Sequence, residues 1–358
     1  MARLRRVDCA GPGIRRVRRG KGFSYLWSDG SKVEDPDTLA RIAGLVIPPA
    51  WTDVWICPHP RGHIQALGTD AAGRRQYRYH DEWRAQRDAE KHQRVLDFAK
   101  RLPTARKVVA EHLGQRGLTR DRVLAAAFRL LDLGFFRVGG ESYAEANGTY
   151  GLATMRREHV TVTGDLVVFD YVAKSGKQRV QAVVDESVRK VVVALLKRDD
   201  PSKELLAYRD RNGWHDITSA DINAYLREVV GEEVSAKDFR TWHATVLTAV
   251  GLAVSTRAPT SVSGRKRAVN RVVKEVAEYL GNTPAVCRSS YIDPRILDLY
   301  DDGSTIASSL ERLGADADFG QPATHGKVEA AVLRLLRTPA RAGNRRRAAN
   351  GRAARKAA

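Results

Sequence analysis

A chain of 358 residues is long enough to bury a sizeable core, in one large domain or two ordinary ones, without covalent staples. Its three cysteines, Cys9, Cys57 and Cys287, lack the paired spacing of a disulfide framework or a zinc knuckle, and no apolar run approaches the ~20 residues of a membrane span. A net charge of +19, from 61 Lys plus Arg against 42 Asp plus Glu, favours a polyanionic partner.

The charge is concentrated at the ends. Residues 1–22 carry eight cations and a single acid, Asp8, and residues 337–358 carry eight cations and no acid, so the middle of the chain is nearly balanced. Such ends argue for nucleic-acid affinity without locating an active site. The opening has no apolar core of a secretory signal and runs straight into GKGFSYLWSDG, which is strand-like and turn-punctuated, so it is read as part of the fold of a soluble, intracellular protein.

Over the first eighty or so residues, short apolar or alternating pieces such as FSYLW at 23–27 and DVWIC at 53–57 lie between Gly, Pro and Asp, the pattern of a small β-rich domain. Cys57, His59 and His63 are close in sequence, but Pro58 and Pro60 intervene and no fourth ligand is near, so loop packing is expected there and no metal. From Asp81 the pattern becomes helical and highly charged, with an end expected near Pro103. The domain junction falls inside or just before this helix.

Helices dominate beyond it. Thr119 caps a helix whose apolar face is Val123, Leu124, Ala127, Leu130 and Leu131, with Gly134 as its stop. Further helical patterns occur near 186–198, 219–230, 238–254, 266–280 and 325–337, and three strands between 159 and 184 turn at Gly164-Asp165 and Ser175-Gly176. From Arg337 onward Ala, Arg, Gly and Asn leave nothing to bury, and a disordered tail is expected.

Several familiar chemistries fail at the residue level. The AKSGKQ turn resembles a phosphate loop, but Tyr171 stands where its first Gly belongs and Gln178 replaces the Ser or Thr. HExxH, GxSxG and metal-spaced carboxylates are absent from the sequence. What remains is a set of cations and a tyrosine, which is chemically meaningful if the substrate is a phosphodiester, because guanidiniums stabilise the charge of its transition state.

The segments PPAWTDVWICP at 48–58, GRRQYRYH at 73–80, FFRVGGESYAEANGTYGLATM at 135–155, KSGK at 174–177, KDFRTWHAT at 237–245 and LGNTPAVCRSSYIDP at 280–294 together resemble the type IB DNA topoisomerases of bacteria and poxviruses. The likeness covers nearly all of the chain except the tail. It implies an α+β fold: a small β-rich N-terminal DNA-binding domain over 1–86, a larger, mainly α-helical catalytic domain over 87–336 with a three-stranded β insertion, and a basic disordered tail over 337–358, the two domains forming a clamp on DNA. It also implies a nucleophile at Tyr291 that holds the 3′ end of a cut strand, phosphate-binding arginines at Arg137 and Arg240, and a general acid at Lys174. Asn282 stands where poxvirus members have a phosphate-contacting histidine; its amide can donate a hydrogen bond but carries no charge. Arg240 is read near a helix N-terminus, where free N–H groups also suit an anion.

In the N-terminal domain, Gln76, Tyr77 and Tyr79, with Arg74 and Arg75 beside them, match base-contacting residues of the poxvirus relatives. Alternation equally allows an edge strand whose Tyr77 and Tyr79 cover core. The resemblance implies supercoil relaxation on double-stranded DNA with no ATP, metal or other cofactor, by a monomeric, cytoplasmic, nucleoid-associated bacterial protein. Two other readings remain open at this stage. A tyrosine recombinase shares the Arg, Lys, Arg, Tyr order but usually has His three residues before the second arginine, where Lys237 stands; a non-catalytic, histone-like protein would account for the basic ends but not for the motif around Tyr291.

Overall fold

The structure, a computed structural model, describes residues 3–255, 261–315 and 325–337. The chain divides into two compact units, the first ending at Gln93 and the second beginning at Arg94. The tail expected to be disordered lies, apart from Arg337, outside the described residues.

In the first unit, β1 (Ile14–Arg19), β2 (Gly22–Leu26), β3 (Thr52–Ile56), β4 (Ile64–Thr69) and β5 (Arg75–Tyr79) form one antiparallel sheet in the order β2-β1-β3-β4-β5. Between β2 and β3 runs α1 (Pro36–Gly44), which the sequence reading omitted; Asp35 accepts from the Thr38 N–H as its N-cap and Pro36 starts the helix. Ile14, Val33, Ile42, Val54, Ile56 and Ala66 make a small core. The Cys57, His59 and His63 segment is occupied by packing and hydrogen bonds: Cys57 is buried, His63 Nδ1 accepts from the Val7 N–H, and His59 meets Arg5 at 3.1 Å.

The helix α2 (Asp81–Leu113) does not stop near Pro103 as the sequence suggested but continues through it. An internal proline costs about 3 kcal/mol. On either side of it Phe98, Ala99 and Leu102, then Ala105 and Val109, are fully buried. Each large apolar side chain so buried contributes about 1.5–3 kcal/mol, so tertiary packing outweighs the local penalty.

The second unit is built on α3 (Arg120–Gly134), in which every residue from Val123 to Phe128, with Leu130 and Leu131, is buried. Thr119 caps it as expected. The stop differs, because Gly134 is the last helical residue and the left-handed turn falls on Phe135 (φ 56). Glycine is needed at 134 for space, since a Cβ there would lie 2.3 Å from the Phe136 ring.

After α4 (Glu141–Asn147), the strands β6 (Val160–Thr163), β7 (Leu166–Ala173) and β8 (Lys177–Val184) form the expected antiparallel sheet. Helix α5 (Glu186–Leu196), the hairpin β9 (Ala207–Asp210) and β10 (Gly213–Asp216), and α6 (Ser219–Val229) follow. Then come α7 (Ala236–Val254), α8 (Val262–Leu280), α9 (Pro284–Ser290), α10 (Pro294–Asp301), α11 (Ala307–Ala315) and α12 (Lys327–Arg337). A buried polar network joins four helices, α2, α3, α7 and α12. Arg106 bonds Asp132 and Glu329, and Glu329 accepts from the Trp242 indole at 2.8 Å.

Candidate active site

Arg137 stands in the turn after α3, in a backbone held by glycines that make close approach possible. A Cβ on Gly151 would meet Gly139 backbone atoms at 2.4 Å and the Arg137 carbonyl at 2.8 Å. Leu152 and Ala153 donate to the Arg137 and Val138 carbonyls at 2.8 and 2.7 Å, pinning this loop in place. From it the guanidinium reaches across to the end of α8 and donates to Asn282 Oδ1 at 2.7 Å and to the Gly281 carbonyl at 3.1 Å.

The sequence reading allowed Asn282 itself to end a helix, but Gly281 takes the left-handed position (φ 61). Asn282 is thereby free to turn its side chain toward Arg137. Its Nδ2 is buried with no hydrogen-bond partner. A buried amide N–H without an acceptor costs about 1–3 kcal/mol, so this donor is suited to an incoming oxygen.

The sequence places Arg240 near a helix start. Helix α7 begins earlier, at Ala236, behind a box in which Ser235 and Asp238 satisfy each other, so the N-terminal N–H groups are not what surrounds Arg240. Arg240 instead sits in the second turn, 4 % exposed, donating to the Phe135 carbonyl at 2.5 Å and the Leu280 carbonyl at 2.6 Å. The left-handed turn at Phe135 and the end of α8 thus supply its anchors. Burial, with Arg137 nearby, lowers the Arg240 guanidinium to about 10, which leaves it charged at neutral pH.

Tyr291 caps the C-terminus of α9, half-buried, its N–H bonded to the Cys287 carbonyl at 3.0 Å. Thr245 of α7 fixes the segment by accepting from the Asp293 N–H at 3.1 Å. The Arg240 guanidinium lies 5.3 Å from the centroid of the Tyr291 ring and the Lys237 ammonium 5.9 Å. Burial pushes the phenol pKa up, but the charges of Arg240, Arg137 and Lys237 outweigh it and bring the phenol below its ordinary value. In the sequence, Lys237 stands out only as a departure from the recombinase pattern. Its i, i+3 spacing to Arg240 already placed both on one helix face.

Lys174 is exposed in the turn between β7 and β8. Arg137, Lys174, Lys237, Arg240 and Tyr291 line one cavity of about 290 Å³. A larger one of about 910 Å³ shares Arg137, Lys174 and Arg240 and adds Asn282 and Arg179. Arg179, which the sequence reading passed over, donates to the Tyr279 carbonyl at 2.6 Å. Among the described residues, no carboxylate forms an ion pair with Arg137, Lys174, Arg179, Lys237 or Arg240. Uncompensated, preorganised cations beside a phenol form a receptor for a phosphate-like anion.

In the first unit the proposed DNA-contacting residues divide between two faces of β5. Arg75, Tyr77 and Tyr79 are exposed, whereas Gln76 and Arg78 point to the other, partly covered face. Tyr77 and Tyr79 stack with centroids 6.0 Å apart and stand outside the core, so the reading in which they cover it does not hold. Arg74 pairs with Asp70 at 2.8 Å and Gln76 donates to the same carboxylate at 3.0 Å. The hydrogen bond from Arg74 brings Asp70 down to about 2. A cavity of about 610 Å³ beside Tyr79 adds Arg6, Trp83, Arg84 and Arg87, which the sequence reading did not single out.

Residues 80–314 match the family model for the catalytic core of eukaryotic DNA topoisomerase I, and residues 22–70 match that for the N-terminal domain of bacterial DNA topoisomerase IB. The chain is similar to DNA topoisomerase 1B of Acanthamoeba polyphaga mimivirus, 30% identical over 293 residues that cover 80% of this chain and 87% of the relative. It is also similar to DNA topoisomerase 1B of Vaccinia virus (strain Copenhagen), 24% identical over 66% of this chain and 72% of the relative. With the mitochondrial DNA topoisomerase I of Homo sapiens it shares 29% identity over 44% of this chain and 26% of that protein. A β-sheet unit followed by a helical unit with a cation-lined phenol is the frame of a DNA strand-transfer enzyme. The chain belongs to the type IB DNA topoisomerase family. Its function is to relax DNA.

Proposed function

We propose that Tyr291 is the nucleophile of this topoisomerase. Its Oη attacks a backbone phosphorus, the bond from phosphorus to the 5′ oxygen breaks, and a 3′-phosphotyrosyl ester forms. Lys174 gives a proton to the departing 5′ oxygen, and Arg137, Arg240 and the Asn282 amide hold the non-bridging oxygens. Religation is the reverse step, so the energy of the broken backbone is retained in the ester and neither ATP nor a metal enters the reaction.

The observation that carries this reading is Arg240: buried, bound to carbonyls, without a carboxylate partner among the described residues, and facing the Tyr291 ring at 5.3 Å. Ionising an ordinary tyrosine at neutral pH costs about 4 kcal/mol. Each preorganised donor on a developing oxyanion contributes about 3 kcal/mol, so two arginines and an amide exceed that deficit. Electrostatic stabilisation dominates in this reading, and base catalysis is secondary.

The reading extends to a monomer that closes as a clamp on duplex DNA, reads it through Arg74, Arg75, Gln76, Tyr77 and Tyr79, and works on the nucleoid in a bacterial cytoplasm. The match of residues 22–70 to a bacterial N-terminal domain and the cation-rich ends support it. The test is relaxation of supercoiled plasmid in EDTA without ATP. Wild type relaxes it, Tyr291→Phe loses activity at least ~10⁴-fold, and denaturation in mid-reaction leaves Tyr291 on a 3′ end. Attachment at a 5′ end, a requirement for magnesium, or an active Tyr291→Phe variant would overturn the assignment.

A further inference from the structure

One turn beyond Arg240, α7 buries His243, 1 % exposed, and both of its ring nitrogens are without a hydrogen-bond partner. An unsatisfied buried group of this kind costs about 1–3 kcal/mol. Its Nε2 faces Asp132 Oδ1 of α3 at 3.7 Å, and Nε2 of His325, two residues before α12, faces the same oxygen at 3.7 Å. The three donor atoms all lie within 4.8 Å of one another.

A separation of 3.7 Å is too long for a hydrogen bond. It suits two ligands of one cation, because bonds of about 2.05 Å opening at about 110–130° separate their donors by about 3.4–3.7 Å. The charge balance points the same way. Arg106 bonds both Asp132 and Glu329, and Arg129 approaches Asp132 at 3.7 Å while its Nε bonds Asp185 at 2.9 Å. Three carboxylates against two guanidiniums leave one buried negative charge when both imidazoles are neutral, and such a charge calls for a cation.

Asp132 can still take part. Arg106 meets its Oδ1 through Nη2 and its Oδ2 through Nε, and a carboxylate oxygen has two lone pairs, so Oδ1 keeps one. Arg106 then acts as the outer-shell partner that orients a ligating carboxylate. His325 Nε2, now 3.2 Å from the Asp132 carbonyl, would give up that contact to bind.

We propose that Asp132, His243 and His325 form a structural site for a divalent transition metal of the zinc class, with a fourth position open to water. Two imidazoles and one carboxylate favour zinc over calcium or magnesium, which prefer all-oxygen cages. The metal ties α12 to α3 and α7. It touches neither the phenol nor the phosphate-binding cations, so the relaxation reaction proceeds in chelator, and this proposal stands or falls separately from the assignment of Tyr291.

The test uses the full chain, stripped by chelator and titrated with Zn²⁺ by calorimetry, with Co²⁺ as a spectroscopic substitute. One equivalent binds, the Co²⁺ complex shows the visible bands of a low-coordinate nitrogen and oxygen site, and Tm rises with free Zn²⁺. His243→Gln and His325→Gln, which keep much of the volume, weaken binding by more than the ~10–100-fold typical of an outer-shell change. His325→Gln, at the helix edge, gives the reading if His243→Gln unfolds. Absence of stoichiometric binding, or binding unchanged in both variants, would overturn the site and leave water as the filler of the gap.

Discussion

In the proposed mechanism, the phenol of Tyr291 and the three cations around it set how the reaction responds to pH. Lys237 is the one of them whose side chain makes no anchoring hydrogen bond among the described residues, so it can be neutralised with least disturbance. Removing a positive charge near a phenol raises the pKa of that phenol. Lys237→Met is therefore expected to move the rising limb of the single-turnover cleavage profile to higher pH and to lower the rate at neutral pH. An unmoved midpoint with a lower plateau would mean that Lys237 acts on DNA binding instead. At this scale the residue types were legible in the sequence, whereas their surroundings were not. The motif gave Arg240, but its carbonyl partners come from Phe135 and Leu280, 105 and 40 residues away, and no local pattern reports them.

The short elements around these residues obey local rules. Helices α9 and α10 each begin with a capping residue followed by proline, Thr283-Pro284 and Asp293-Pro294, and the β9–β10 hairpin turns at Arg211-Asn212 before Gly213. Where sequence rules failed, packing had overridden them. Pro103 is carried inside α2 by its buried neighbours, and the left-handed turn falls on Phe135 rather than on the glycine beside it. The close contact of Gly139 and Gly151 gives a sharper test, because a Cβ at 151 would press on backbone rather than on a flexible side chain. Gly151→Ala is expected to cost about 1–3 kcal/mol of stability. By shifting Arg137 it should slow cleavage by about 10²-fold, while equilibrium DNA binding changes far less. Cleavage at the wild-type rate would show that the loop can yield.

For the whole molecule, charge distribution and chemistry separate. Truncation after Arg337 removes seven cations and no acid. It is expected to weaken DNA binding and to flatten its salt dependence, each lost phosphate contact reducing the logarithmic slope by about 0.9, while single-turnover cleavage at saturating protein is unchanged. A collapse in cleavage rate would instead give the tail a structural role. The two-unit plan was legible from the change of hydrophobic period near Asp81. The Asp132, His243 and His325 cluster was not, because its members are separated by up to 193 residues and none carries a motif.

The Arg106 network also orders events in time. Glu329, which closes it, is among the last residues of the described fold to be synthesised, and it holds both Arg106 and the indole of Trp242, two residues from Arg240. A chain still on the ribosome lacks that carboxylate until residue 329 is made, so the helix bearing Arg240 gains this support only after the segment carrying Tyr291 has been synthesised. A chain cut short between Tyr291 and Glu329 is therefore expected to carry the phenol without that support.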